Sequence, residues 1–382
     1  MLEGTTVALG VTGSVAAVTV VELVHELQRR GATVRAAMTE SARGIIHPDA
    51  VSYAADAEVV TELTGAVEHV AWCGKEGWAD VCLVAPATAN TVGKIAAGID
   101  DTPVTTMVTT ALGADVPVVV APAMHEGMFD HPGVAENLEN LEGWGVTVVE
   151  PRIEEGKAKI ATADAIALDV ARAVGPSPLA GRRVVVTSGP TAEPIDPVRV
   201  LTNRSSGRTG RAVAKGIYAG GGDVVLLHQD GDVPYAEVRT VETAEAMTEA
   251  AVEAAADADA LVAAAAVSDF TVDTAAEKLS SAESFALELE PAGKVLDAVR
   301  EAYPSLPLVG FKLESDPEAL PDSARALQRR LDMPFVVANT TDALGGDETA
   351  VEFVSGDAVE PFSGSKTALG LEVARRLGTA FA

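Results

Sequence analysis

The sequence predicts an α/β protein of two domains, each a mainly parallel sheet covered by helices on both faces. Three observations carry that reading. Strand-length runs of Val, Leu and Ala alternate with stretches of helical length and periodicity through both halves of the chain. One such run in each half ends in a Gly/Ser turn that opens a helix. Between the halves, Gly175 to Gly181 reads GPSPLAG, which favours a linker over 175–180 between domains over 1–174 and 181–382. At 382 residues the chain is long enough for two cores of ordinary size.

In the first half, strands are expected near 5–10, 33–38, 80–85, 117–121 and 146–149, with helices between them. Val7 to Leu9 begin the first, and Gly10, Thr12, Gly13 and Ser14 make its turn. Helical periodicity then runs from Val15 to Arg30, where Gly31 stops it. In the second half the expected strands lie near 183–187, 223–228, 259–265, 307–311 and 334–338. The alanine-rich 249–266 reads as a helix running into a buried strand. Alternation of this kind puts ligands at the carboxyl ends of the strands.

Val184 to Gly210, VVVTSGPTAEPIDPVRVLTNRSSGRTG, is the most informative stretch. Val184, Val185 and Val186 read as a buried strand, and Pro190, Pro194 and Pro197 stiffen the loop after it. Ser205, Ser206 and Gly207 fall where a helix starts, running to about Tyr218 before Gly220, Gly221 and Gly222. N–H groups at a helix start are unpaired and partly positive, so a phosphate or carboxylate can dock there, with Arg199, Arg204 and Arg208 adding full charges. The plainer reading is a capped helix after an ordinary loop. Neither this loop nor Gly10–Ser14 is a GxGxxG or Walker loop.

The chain carries 56 acidic residues against nineteen Arg and nine Lys, a formal charge of −28. That balance argues against a nucleic-acid binder, which needs a basic footprint. It points instead to a surface adapted to a salt-rich cytoplasm, where screening relieves self-repulsion. No apolar run reads as a membrane span and the N-terminus lacks the pattern of a signal peptide, so a cytoplasmic enzyme is expected. Cys73 and Cys82 are the only cysteines, which rules out a disulfide framework, and they lack a companion cluster of metal ligands.

The motifs say more. The first half carries GVTGSVAA at 10–17, MTESA at 38–42, His69, PATANT at 86–91, GKIA at 93–96, GIDD at 98–101 and PAMHEGM at 122–128. Together these resemble the flavin-dependent cysteine decarboxylase family. The second half carries GPTAEPIDPVR at 189–199, TNRSSGRTG at 202–210, AAAVSDF at 264–270, Glu277-Lys278 and Gly310-Phe311-Lys312. Those resemble the phosphopantothenate-cysteine ligase family. Both halves in this order resemble the bifunctional decarboxylase–ligase family of coenzyme A synthesis, with motifs across nearly the whole chain. The resemblance implies two Rossmann-like domains, a flavodoxin-like flavoprotein domain followed by a nucleotide-binding ligase domain.

For the ligase half, the resemblance implies activation of the 4'-phosphopantothenate carboxylate by a nucleoside triphosphate with Mg2+, CTP being favoured over ATP, and attack by cysteine on the acyl-nucleotide. Ser205, Ser206 and Gly207 match phosphate-holding positions, Lys278 the lysine on the nucleotide, Asn203 the asparagine that turns the acyl-nucleotide over, and Arg199 an active-site arginine. Ala263, Ala265, Asp269 and Phe311 match nucleotide-binding positions, although Ala263, Ala265 and Phe311 also suit the core of any such sheet. Arg325 and Arg329 stand where the family has basic residues. The family's second basic residue after Lys278 is replaced by Leu279.

For the first half, the resemblance implies decarboxylation of phosphopantothenoylcysteine with FMN. Gly13, Ser14, Thr39, Thr88 and Asn90 match FMN-contacting positions, and His69 matches the active-site histidine, a residue able to exchange a proton near neutral pH. Without the resemblance, a lone His69 between Glu68 and Val70 reads as a surface residue. Two departures stand out. Pro122-Ala123-Met124-His125 replaces the PAMN of many bacterial relatives, which passes a substrate-carboxylate role to His125 beside Met124. The region matching their lid cysteine, 154–160, has none, and Lys157 or Lys159 is left to bind substrate phosphate or supply a proton. Relatives also imply a homo-oligomer, with a trimeric decarboxylase core and paired ligase domains. A flavoprotein acting on another thiol or on a prenyl substrate, or a regulatory flavin-binding relative, are the alternative readings; His69 together with a complete ligase half speaks against the first, and intact Asn203 and Lys278 against the second.

Overall fold

The computed structural model describes residues 1–280, 284–340 and 348–381. The chain divides into two compact units, Met1–Pro176 and Ser177–Ala382. The first unit holds β1 (Thr6–Val11), β2 (Thr33–Met38), β3 (Val81–Ala87), β4 (Val118–Pro122), β5 (Met124–His125), β6 (Thr147–Val148), β7 (Arg152–Glu154) and β8 (Lys157–Lys159). Five of them form a parallel sheet in the order β2-β1-β3-β4-β6. A parallel sheet is buried on both faces, which is why its strands read as continuous apolar runs. Leu9, Leu83 and Val119 face the helices Val20–Arg29 and Ala163–Val174, while Ala8, Val84 and Val120 face Pro103–Gly113 and Pro132–Gly143. This is the flavodoxin-like strand order, which leaves a crevice where the connections reverse between β1 and β3. The remaining strands make a small antiparallel sheet, β5-β8-β7. Its β7–β8 hairpin turns through Glu155 and Gly156, both at left-handed φ of 53° and 68°.

The second unit holds β9 (Arg183–Thr187), β10 (Ala192–Pro194), β11 (Val200–Thr202), β12 (Asp223–His228), β13 (Glu237–Thr240), β14 (Ala260–Ala263), β15 (Phe270–Val272), β16 (Leu289–Pro291), β17 (Leu308–Glu314), β18 (Phe335–Thr340), β19 (Glu348–Ser355) and β20 (Ala358–Ser365). Eight make one sheet, β13-β12-β9-β14-β17-β18-β19-β20, parallel through β18 and antiparallel beyond. Counting only its six parallel strands, the order is 3-2-1-4-5-6, the doubly wound dinucleotide-type order, with its reversal between β9 and β14. The alternating side chains Val185, Val225 and Leu261 pack under the helices Ala244–Ala255, Val295–Ala302 and Leu320–Arg330.

One local expectation is corrected, one is met, and the set of strands is enlarged. The segment expected as one helix from Val15 to Arg30 is a 3-10 turn over Val15–Thr19 followed by an α-helix over Val20–Arg29. Only Ala17 of that first turn is buried, while Val15 and Val18 are exposed, so no apolar face drives it into α-geometry. The alanine-rich segment separates into a helix ending at Ala255 and a strand starting at Ala260. The strands β13, β19 and β20 and the ribbons β10–β11 and β15–β16 add to the expected set. Among the described residues no helix is long and apolar enough to cross a membrane.

Candidate active sites

At the carboxyl ends of β1 to β4 the first unit opens a cavity of about 530 Å3. Gly13 and Ser14 after β1, Thr39 after β2, Thr88 and Asn90 after β3, and Met124 and His125 in β5 all line it. Helix starts converge on it. The hydroxyls of Ser14, Thr39, Thr88 and Thr102 accept N–H bonds from Ala16, Ala42, Thr91 and Thr105 at 3.4, 3.3, 3.2 and 3.1 Å. Each caps a helix N-terminus, the end that favours an anion. At the β1/β3 reversal the buried Thr12 hydroxyl donates to the Pro86 carbonyl at 2.7 Å and accepts from the Thr88 N–H at 3.2 Å, fixing the two loops together. A Cβ at Gly13 would lie 2.4 Å from that of Ser41, so the loop closes this tightly only without a side chain. Glu40, Lys94 and Thr102 also line the cavity and were not singled out from the sequence; the cap pattern at Thr102-Pro103 was the available signal.

His69 lies elsewhere within the chain. It sits on the short helix Glu68–Cys73, in a separate small crevice with Ala37, Trp72 and Met107. Lys157 and Lys159 do not line the cavity. Lys157 pairs in register with His125, and the Lys159 ammonium lies 2.9 Å from Glu155 and 3.0 Å from Glu154, whose carboxylates raise its pKa and hold its proton more tightly. Both cysteines are buried, and the Cys82 thiol is pushed well up by its hydrogen bond with Cys73 and by burial.

In the second unit the β9/β14 reversal gathers Asn203, the 188–191 loop and the 264–269 segment. The Asn203 amide donates to the Ala266 carbonyl at 2.5 Å and its oxygen accepts from the Ser205 N–H at 3.0 Å. Thr187 and Thr191 hydroxyls accept from the N–H groups of Ala265 and Ser268 at 3.1 and 2.9 Å. Gly207, at φ 68°, is the N-cap of the helix Arg208–Ala219 and packs on Gly189, where a Cβ would lie 3.1 Å from the Gly189 Cα. The fully buried Ser188 donates its hydroxyl to the Gly207 carbonyl at 2.9 Å. Ser205, Ser206 and Gly207 thus lead into a helix start beside the crevice.

Asp196 was missed in the sequence, although its place between two prolines signals an Asx turn. Its buried carboxylate accepts from the N–H groups of Val198 and Arg199 at 2.8 Å and of Leu279 at 3.2 Å. Burial pushes that carboxyl up, but these N–H bonds and the Arg199 guanidinium outweigh it and hold it below the usual range. Arg199 bonds Asp196 at 2.9 Å and the Leu279 carbonyl at 3.2 Å, so the pair ties the exposed Lys278 segment to the loop. Ala263 and Ala265 pack partly against the core, Phe311 is half-buried, and exposed Asp269 is ion-paired with Lys294. Arg325 and Arg329 stand on one helix, Arg325 in its middle and Arg329 in its last turn. Their helix, Leu320–Arg330, begins at the carboxyl end of β17 and runs back toward the amino end of β18, where Arg329 pairs with Asp357 at 3.0 Å, and Arg325 pairs with Asp322 at 2.9 Å. Among the described residues no group of three His, Cys, Asp or Glu side chains is placed to hold a metal ion.

Comparison with known proteins gives two family models that divide the chain. Residues 1–175 match the flavoprotein family, and residues 179–380 match the DNA/pantothenate metabolism flavoprotein C-terminal domain. The coenzyme A biosynthesis bifunctional protein CoaBC of Thermococcus kodakarensis is 48% identical, over 93% of this chain and 90% of the relative. Its namesake in Methanocaldococcus jannaschii is 34% identical over 99% and 94%. The Bacillus subtilis protein of the same name is 33% identical over 90% and 88%. A flavoprotein unit and a ligase-type unit, each with a cavity or crevice at its topological reversal, therefore stand together in a chain that belongs to the CoaBC family of bifunctional coenzyme A biosynthesis enzymes, with decarboxylase and ligase activities.

Proposed function

We propose that the second unit joins 4'-phosphopantothenate to cysteine through an acyl-nucleotide, and that the cavity of the first unit decarboxylates the product to 4'-phosphopantetheine. The observation that carries the reading is the meeting of Gly13, Ser14, Thr39, Thr88 and Asn90 in one cavity ringed by capped helix starts. Such a ring suits the phosphate of FMN. Bound there, FMN supplies a two-electron acceptor that takes and returns electrons, so that carboxyl loss leaves no bare carbanion. Ser14 and the N–H groups behind it hold the flavin phosphate, Thr88 and Asn90 orient the cofactor, and Met124 and His125 meet the substrate. His69 completes the site from a neighbouring subunit of a trimer, a reading supported by its place outside the lining of its own chain's cavity.

In the ligase, Ser205, Ser206 and Gly207 hold phosphates at the helix start. Lys278 neutralises charge on the nucleotide, and Asn203 steadies the carbonyl oxygen as cysteine attacks. Arg199 acts by anchoring the Lys278 segment through Asp196. Ala263, Ala265, Asp269 and Phe311 form the nucleotide wall, with Arg325 as a further nucleotide contact; the placement of Arg329 in the last turn of its helix supports a surface role for that residue. CTP is the favoured nucleotide, and Mg2+ rides mainly on its phosphates. The ligase units pair as dimers, and the charge of −28 supports work in a salt-rich cytoplasm.

The test is to incubate the purified protein in high salt with phosphopantothenate, cysteine, Mg2+ and each nucleoside triphosphate in turn, following pyrophosphate, CO2 and phosphopantetheine. Asn203→Ala should cut amide formation about 10²-fold and leave CO2 release from preformed phosphopantothenoylcysteine unchanged; His69→Asn should do the reverse. Absence of amide with every nucleotide sinks the ligase reading.

A further inference from the structure

Carboxyl loss ends with a C–H bond where a C–C bond stood, so one proton must reach that carbon from a group beside it. Neither cysteine lines the cavity. Of this chain's own side chains that do, Glu40, Lys94 and His125 are the ionisable ones, and Lys94 is held by both Asp101 oxygens at 2.8 Å. His125 also differs from the other histidines at helix starts. His47 and His131 each turn Nδ1 back to accept the N–H two residues on, at 3.2 and 3.1 Å. His125 is the N-cap of Glu126–Phe129, makes no such bond, and lines the cavity. Histidine is the side chain whose charge ordinarily changes between pH 5 and 8. The charged groups around it are Glu40 and Lys94 in the cavity wall, Lys157 opposite it on β8, and the adjoining Glu126.

We propose that His125 is the general acid of decarboxylation, an inference that rests on reading the cavity as the decarboxylase site. The bond from Cα to the carboxyl breaks, CO2 leaves, and the electron pair remains on the carbon side. An imidazolium N–H of His125 gives its proton to Cα, forming the C–H bond, and the neutral ring recovers a proton from water. One carboxylate and one proton become CO2 and a C–H bond, with no net oxidation.

The experiment compares the full chain with His125→Asn and His125→Gln, using preformed phosphopantothenoylcysteine. Ligase turnover and the visible absorbance of bound flavin report folding and filling of the cavity. Both variants should keep both signals, lose at least about 100-fold in phosphopantetheine formation, and show a different dependence of that rate on pH. With 13C-labelled histidine, one of the 6 ring signals should vanish in His125→Asn and, in the flavin-free parent, shift on addition of phosphopantetheine. Product formation within threefold of the parent, an unchanged pH profile, or a ring signal that does not move would each overturn the assignment. So would loss of flavin from both variants, which would make His125 a binding residue. If the parent itself neither holds flavin nor releases CO2, the reading of the cavity fails and the inference falls with it.

Discussion

Gly210→Ala tests whether the helix start beside Asn203 must sit where it does. The new Cβ would lie 2.5 Å from both Cβ and Oγ of Ser188 and 2.8 Å from its Cα, about 1 Å short of ordinary carbon contact. Ser188 cannot step aside. It is fully buried, its N–H bonds the Leu227 carbonyl at 2.9 Å, and its hydroxyl bonds Gly207. The helix start must therefore rise by about that 1 Å, carrying Gly207 and the serines before it. Overpacking of this kind costs about 1–3 kcal/mol of stability, and the gain in helix propensity from Gly to Ala offsets about 1 kcal/mol of it. The rate suffers more, because a 1 Å misplacement costs about 10²-fold where groups must align. Pyrophosphate release with phosphopantothenate, cysteine and nucleotide should fall about 100-fold, while CO2 release from preformed phosphopantothenoylcysteine is untouched. Ligation within threefold of the parent would refute the claim that this contact sets the site.

Two further outcomes follow from packing and charge. A Cβ on Gly216 would lie 2.2 Å from the Gly370 carbonyl carbon and oxygen, and one on Gly370 would lie 2.0 Å from the Ala212 carbonyl oxygen, so two helices meet backbone to backbone. Gly216→Ala should cost about 3 kcal/mol and lower the melting temperature of the second unit by about 6–12 °C; a shift under about 1 °C counts against that contact. The Asp196 carboxyl is held below the usual range, so its contribution is present above the ordinary carboxylate pKa of about 3.9 and lost as pH falls through the lower folded value. Amide protection at Val198, Arg199 and Leu279 should hold from neutral pH down past the ordinary carboxylate value of about 3.9, be lost only below it, and be weakened at neutral pH by Asp196→Asn. Protection unchanged by that substitution would remove Asp196 as the organiser of the loop.

Much of this protein is legible in local pattern. Parallel strands such as Val81–Ala87 and Arg183–Thr187 are buried on both faces, so they appear as unbroken apolar runs that any chain of this kind must place at a sheet centre. The loops after them declare themselves through Gly, Ser, Thr and Pro, because helix caps and tight turns are set by residues within three or four positions of each other. Hence the turn at Gly13 and Ser14 could be named from pattern alone, whereas Thr39, Thr88 and Asn90 were named through the family resemblance of the motifs that hold them. The edge hairpin β19–β20 was not foreseen, since half its residues face outward and its pairing depends on a partner strand rather than on its own composition. Local pattern signals only an Asx turn at Asp196, whose value lies in reaching Leu279, 83 residues away. The resemblance, not local pattern, gave Arg325 and Arg329 a place near the nucleotide, and helix direction carries Arg329 toward the opposite end of the sheet. Which loops share a cavity, and which charges are already spent on a neighbour, are long-range matters of strand order and helix direction; spacing along the chain encodes the pieces, and packing in three dimensions chooses their company.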